Sequence, residues 1–251
     1  MRGGKYSRDE TILAFELYCI IPSSKVTVHN PQIINLAKEL NRPVNSVKLK
    51  LQNFKAYDPS YTQDGRIGMK HGSKLDRDIC QEFLLNWDLL IIETRKIKQR
   101  LGFVYEDDAN ETLIIPVGGN RVITTTQRLG QSFFRKAILA AYNNQCCFTG
   151  IALPELLRAS HIKSWSESND INEKTNPQNG LLLNALHDAA FDKGYITIST
   201  DYKIIVSQKL IEASSANLQY FAPLNGRKIM LPSRFLPEKQ FIEHHNKRFK
   251  G

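Results

Sequence analysis

Between Arg8 and Ile21 the chain reads RDETILAFELYCII, with Ile12, Phe15, Leu17 and Ile20 at mixed helical intervals behind two acids. The spacing predicts a helix that Pro22 ends, its acids placed where the helix dipole favours them. Asn30 can cap a second helix, NPQIINLAKEL, with Pro31 at its first position and Ile33, Ile34, Leu36, Ala37 and Leu40 as its apolar stripe. After a short break at NRP, Val44, Val47, Leu51 and Phe54 repeat every three or four residues through VNSVKLKLQNFKAYD. Helix, tight turn and basic helix form a helix-turn-helix-like pattern. A helical hairpin with a solvated basic face gives the same pattern, and both remain open.

Residues 58–74 are rich in turn formers and predict a loop. Leu75, Ile79, Phe83, Trp87, Leu90 and Ile91 then mark one side of a long helix over roughly 75–100. The acidic stretch EDDANE (106–111) marks a domain boundary, and TLIIPVGGNRVITTT predicts two strands joined through Gly118, Gly119 and Asn120. A helix follows over roughly 127–143, with Phe133, Phe134, Ala137, Ile138 and Ala141 as its buried stripe. From Cys146 the pattern shortens. CCFTG and LLRASHIKSW predict a hairpin, SESNDINEKTNPQ a polar loop, NGLLLN a strand, and ALHDAAFDKG a short helix that Asn184 can cap and Gly194 can end.

Composition narrows the class. The 251 residues carry 41% hydrophobic and 24% charged residues, ordinary for a globular chain, but a net charge of +9. Such an excess attracts polyanions, nucleic acid first and anionic membrane second. No apolar run approaches the roughly 20 residues that span a bilayer. The N-terminal MRGGKYSRDE has no apolar signal core, so a cytoplasmic location with four reduced cysteines is expected.

The predicted hairpin, loop, strand and helix place His161 on a strand, Asn179 after a loop and His187 on a helix. Phosphodiester cleavage needs a base near neutral pH, and histidine supplies one. It also gathers charge on phosphate oxygens, which a divalent cation neutralises. His187 would lie in the first turn of its helix, where the dipole disfavours imidazolium and leaves a neutral ring able to bind metal. The Asn179 amide could clamp the loop behind His161 or ligate the metal itself.

Taken together, FR (134–135), CCFTG (146–150), ASHIKSW (159–165), NPQNGLLLNALHDAAFDKGYITI (176–198) and EKQFIEHHNKRF (238–249) resemble the HNH nucleases with the ββα-metal fold, in a restriction-type branch. The resemblance covers roughly residues 127–249, and the amino-terminal part is similar to the helical segment that precedes this domain in the same branch. It implies an α+β chain. A helical domain (1–104) with a helix-turn-helix-like segment would precede a ββα-metal nuclease domain (105–251), its core about 144–194.

The resemblance further implies His161 as general base, Asn179 as the middle asparagine and His187 as metal ligand. Ser160 stands where other branches place an aspartate or histidine that binds metal. Asp188 and Asp192 are alternative ligands on the helix, about 100° and 140° around from His187. Such sparse ligation suits Mg²⁺ or Mn²⁺. The adjacent Cys146 and Cys147, with no later cysteine, exclude a four-cysteine zinc site, and no structural zinc is expected. His244 and His245 are read as surface or packing residues. Lys48, Lys50 and Lys55, with Arg158, Lys163 and Lys193 beside the constellation, are the candidate nucleic-acid contacts. The implied function is metal-dependent cleavage of double-stranded DNA in defence, with no membrane partner, and two-strand cutting by one small site favours a homodimer. A non-catalytic DNA-binding protein and an RNA-cleaving toxin are the competing readings.

Overall fold

A computed structural model describes residues 4–59, 72–103, 125–169 and 171–251. The fold is α+β. Helix α1 (Arg8–Ile20) opens with a capping box between Ser7 and Glu10 and is buried almost all round, from Thr11 through Phe15 to Cys19. A helix apolar on every side belongs at the centre of a bundle. α1 packs against α3 (Val44–Asn53), α4 (Lys74–Leu84), α5 (Trp87–Leu101) and α6 (Thr125–Ala141). Its contact with α6 carries one hydrophobic core through both ends of the chain. Trp87 meets Phe235 edge-on at 5.0 Å, and the buried Arg234 guanidinium lies 4.3 Å over the Tyr18 ring while donating to Ser23 Oγ at 2.7 Å.

α2 (Pro31–Glu39) starts as its sequence predicts: Asn30 Oδ1 accepts from Gln32 N at 2.9 Å and Ile33 N at 3.4 Å. A cap of this kind contributes about 1 kcal/mol. Asn41, at φ +50°, turns the chain from α2 into α3. The face of α3 corrects one expectation. Lys50 does not look outward: it is buried and ion-paired with Asp76, which also accepts from Asn53. Removing either partner of such a pair would strand a buried charge, at about 3–5 kcal/mol. Lys55 is half-buried, and burial, then the nearby Arg234 charge, push its ammonium pKa down. Lys48 and Gln52 remain half-exposed.

The helix predicted over 75–100 is two helices, broken between Leu84 and Trp87. The apolar period runs through the break unbroken, because Phe83 and Trp87 both face the core while Leu85 is 73% exposed. α6 buries all five expected stripe residues. The strands expected around Gly118, the acidic stretch 106–111 and most of the 58–74 loop lie outside the described residues.

Strand β1 (Leu157–His161) pairs antiparallel with β2 (Gly180–Asn184), Ser160 opposite Leu181 and His161 opposite Gly180. This corrects the predicted hairpin. CCFTG is not a strand but a tight knuckle, closed by Gly150 N donating to Cys146 O at 2.8 Å, with Cys147 N reaching Leu182 O at 2.8 Å. The short helix α7 (Ile171–Thr175) lies in the loop between the two strands. α8 (Ala185–Asp192) follows β2 directly. β3 (Ile196–Ile198) and β4 (Ile204–Val206) form a second antiparallel pair, then come α9 (Gln208–Glu212), α10 (Ser215–Phe221) and α11 (Lys239–Asn246).

Candidate active site

Side chains alternate across a strand, and β1 uses both of its faces. On one face the His161 ring stacks on Phe134 of α6, centroids 3.9 Å apart and planes within 8°. Trp165 closes on its edge at 5.6 Å. Arg135, next to Phe134, holds the strand's entry by donating to Leu157 O at 3.2 Å and Pro154 O at 3.3 Å. The close approach of α6 to β2 explains the glycine of NGL: a Cβ on Gly180 would meet Ile138 Cδ1 at 2.5 Å and Phe134 Cζ at 2.7 Å. Gly180→Ala is therefore expected to destabilise the fold by about 1–3 kcal/mol through overpacking, read as a lowered Tm. An unchanged Tm would show that α6 gives way freely.

His161 Nε2 lies 2.9 Å from the carbonyl oxygen of Lys174. A carbonyl only accepts, so in the neutral ring Nε2 carries the proton and Nδ1 keeps the basic lone pair. Burial pushes the ring's pKa below the ordinary histidine value, opposed only by that hydrogen bond, and the ring is neutral at pH 7.

Asn179 is fully buried. Its Oδ1 accepts from Lys163 N at 2.8 Å, and its Nδ2 donates to Lys163 O and Glu173 O, each at 3.1 Å. The amide thus clamps both ends of the 163–173 loop. Of the two roles the sequence left open, these three hydrogen bonds match the clamp. Lys163 is corrected too: it is buried, with Nζ 2.7 Å from Glu173 Oε2, and offers no ammonium to a phosphate.

On the other face of β1 the Ser160 hydroxyl lies within hydrogen-bonding reach of Asp188. Burial raises the Asp188 carboxyl's pKa; the Ser160 hydrogen bond lowers it, the Asp192 charge raises it, and Arg158 lowers it. Asp188 and Asp192 are four residues apart on α8 and so share a face. The two carboxylates thus belong with each other rather than with His187.

His187 is the main correction. Its N–H donates to the Asn184 cap at 2.9 Å as expected, but the ring is fully buried. Nδ1 stands 3.8 Å from Cys146 Sγ, Nε2 has no partner, and Phe148, Tyr220 and Phe221 wall it in. It faces the knuckle. The reason is amphipathicity: His187, Ala190 and Phe191 form the buried face of α8. Cys147 is buried with its thiol pKa pushed well up. His245 packs on Phe191 at 3.8 Å and bonds Phe191 O and Thr197 Oγ1. Arg158, Lys193 and Asp192 are exposed.

The pattern alone did not single out Phe134, Trp165 or the Lys174 carbonyl as neighbours of His161. FR and the Trp of ASHIKSW were visible, but nothing in their spacing says that they touch that ring.

Among the described residues no three His, Cys, Asp or Glu side chains gather as a metal cage. HNH nucleases generally use a divalent metal ion. The donor set present fits a hard one: a half-buried carboxylate beside a hydroxyl, with a second carboxylate one turn on, suits a cation that keeps most of its waters. Among the described residues no helix is long and apolar enough to cross a membrane. A search of curated proteins found none that matches the chain. A family model described as HNH endonuclease matches residues 146–199, the segment that runs from the knuckle through β1, α7, β2 and α8 to β3. With its ordered histidine, clamping asparagine and acid-bearing helix, residues 146–199 belong to the HNH endonuclease family.

Proposed function

We propose that the chain is a metal-dependent DNA endonuclease of restriction type, working in the cytoplasm against foreign DNA. The observation that carries this reading is the neutral His161, its proton held on Nε2 by the Lys174 carbonyl so that Nδ1 is left free to take a proton from water. His161 is the last residue of β1 and Asp188 lies in the first turn of α8. A phosphodiester laid along that edge would meet a base on one side and hard oxygen donors on the other. Ser160, Asp188 and Asp192 would hold Mg²⁺ or Mn²⁺, which when bound draws charge from the phosphate. Asn179 keeps the loop behind the base in place. Double-strand cutting by one such site favours a homodimer.

Phosphate contacts fall to the exposed Arg158 and Lys193 beside the site, and to Lys48 on the helix-turn-helix-like pair. The division of labour follows the sequence boundary: 1–104 reads DNA and 105–251 cuts it, on one shared core.

The test is supercoiled plasmid and single-stranded RNA, each incubated with the protein and Mg²⁺ or Mn²⁺. Nicked and linear DNA with intact RNA is expected, and EDTA should stop the reaction. Asp188→Asn should lower the rate at least tenfold and demand more metal, because a neutral amide holds a hard cation poorly. Cleavage of RNA alone would replace the reading with a ribonuclease. DNA binding without cleavage would leave a binding protein on a nuclease fold.

A further inference from the structure

The break between α4 and α5 is closed from a distance. Asn86, which precedes α5, gives that helix no side-chain cap; its amide nitrogen donates back to Glu82 O at 3.0 Å. Asn172 does both jobs instead. Its Oδ1 accepts from Trp87 N at 2.7 Å, and its Nδ2 donates to Leu85 O at 3.0 Å. One amide from the nuclease segment therefore satisfies the orphan groups on both sides of a helix break in the amino-terminal half.

Asn172 lies on α7, a helix of only 5 residues. A single turn does not hold itself together or in place, so its position is set by what grips it. Glu173, the next residue, accepts from Lys163 Nζ at 2.7 Å and from Asn169 N at 2.8 Å, while its carbonyl accepts from Asn179. Lys174, the next again, presents the carbonyl that bonds His161 Nε2. Three consecutive residues thus link the helical half, the loop clamp and the histidine.

We propose that Asn172 is a positioning residue for His161. Through it the α4–α5 break holds α7 where the Lys174 carbonyl fixes the ring's proton on Nε2 and leaves Nδ1 as the basic nitrogen. The role rests on His161 being the general base. It gives the amino-terminal half a share in the active site that is independent of any DNA contact it makes. Loss of the grip would let the carbonyl drift, and small misplacements of a catalytic group are expensive, up to about 10²-fold per ångström.

Full-length Asn172→Ala and Asn172→Asp would be compared with the parent by steady-state cleavage and by ¹⁵N spectra of the ring nitrogens. The His161 signals are assigned among the 6 histidines by their absence in His161→Gln. The alanine variant is expected to lower kcat about tenfold with KM unchanged, and to turn the single Nε2–H tautomer of His161 into a mixture. Aspartate keeps an acceptor for Trp87 N but loses the donor to Leu85 O and sets a carboxylate oxygen against that carbonyl. It should lie between parent and alanine on both readouts, and it carries the test if the alanine variant does not fold. Parent-like kcat in the variants, or a loss of kcat with unmoved His161 signals, would overturn the role. If the tautomer shifts in the variants but His161→Gln cleaves like the parent, the assignment of His161 as base fails while the anchor stands.

Discussion

Replacing His161 with alanine is expected to reduce plasmid cleavage by about 10²–10⁴-fold, the contribution of a positioned general base, while DNA affinity and its salt dependence stay near those of the parent. The affinity should hold because the ring has no role in charge attraction: burial keeps it neutral at pH 7, and it is packed against Phe134 and Trp165. The salt slope of binding counts the phosphates neutralised by lysine and arginine, and no such group is lost. Folding should survive too, since His161 pairs with Gly180 of β2 through its backbone, which alanine keeps. The measurement is initial nicking rate at saturating metal beside a binding isotherm at two salt concentrations. A variant that still nicks at more than a tenth of the parent rate would remove His161 from the chemistry. A variant that loses binding in step with cleavage would make it a structural residue of the interface.

What the sequence could announce and what it could not divide along a physical line. Local rules were legible: the Asn30 cap, the Asn184 cap and the α6 stripe all follow from the chemistry of a few adjacent residues. The His161 and Asn179 positions were legible through motif resemblance, and the clamp was one of the two roles considered for Asn179. Direction in space was not. His187 and Asp188 are neighbours in sequence about 100° apart on a helix, and only the packing of α8 against the knuckle decides which of them is buried. The same limit hid Lys50 and Lys163. A lysine is counted as a basic face from sequence, yet Asp76 lies 26 residues from Lys50 and Glu173 10 residues from Lys163. The α4–α5 break was invisible for a related reason. Its apolar period is continuous, and the group that stabilises it comes from Asn172, 85 residues away from Trp87.

The corrected place of His187 leads to a second large effect, on stability against acid. His187 and His245 are both buried, and burial lowers the pKa of each from 6.5 to about 4. The unfolded chain binds these two protons at ordinary pH values whereas the folded chain resists them, so the folded state is favoured fully above pH 6.5 and progressively less as the pH falls towards 4. Below about 4 both states are protonated and the loss stops growing. Each ring contributes about 3 kcal/mol across that window, and the two together approach the whole stability of an ordinary domain. Urea unfolding followed from pH 7.5 to pH 4 should therefore show the midpoint collapsing through the range. His187→Phe should flatten the slope by the share of that ring, and it should fold, because a ring walled by Phe148, Tyr220 and Phe221, with Nε2 unpartnered, gives up little when it becomes a phenyl. The same variant should still cleave DNA with Mg²⁺ or Mn²⁺, because Ser160 and Asp188 are untouched. An acid slope equal to the parent's would mean that His187 is hydrated in the folded chain. A dead but well-folded His187→Phe enzyme would return that residue to the metal.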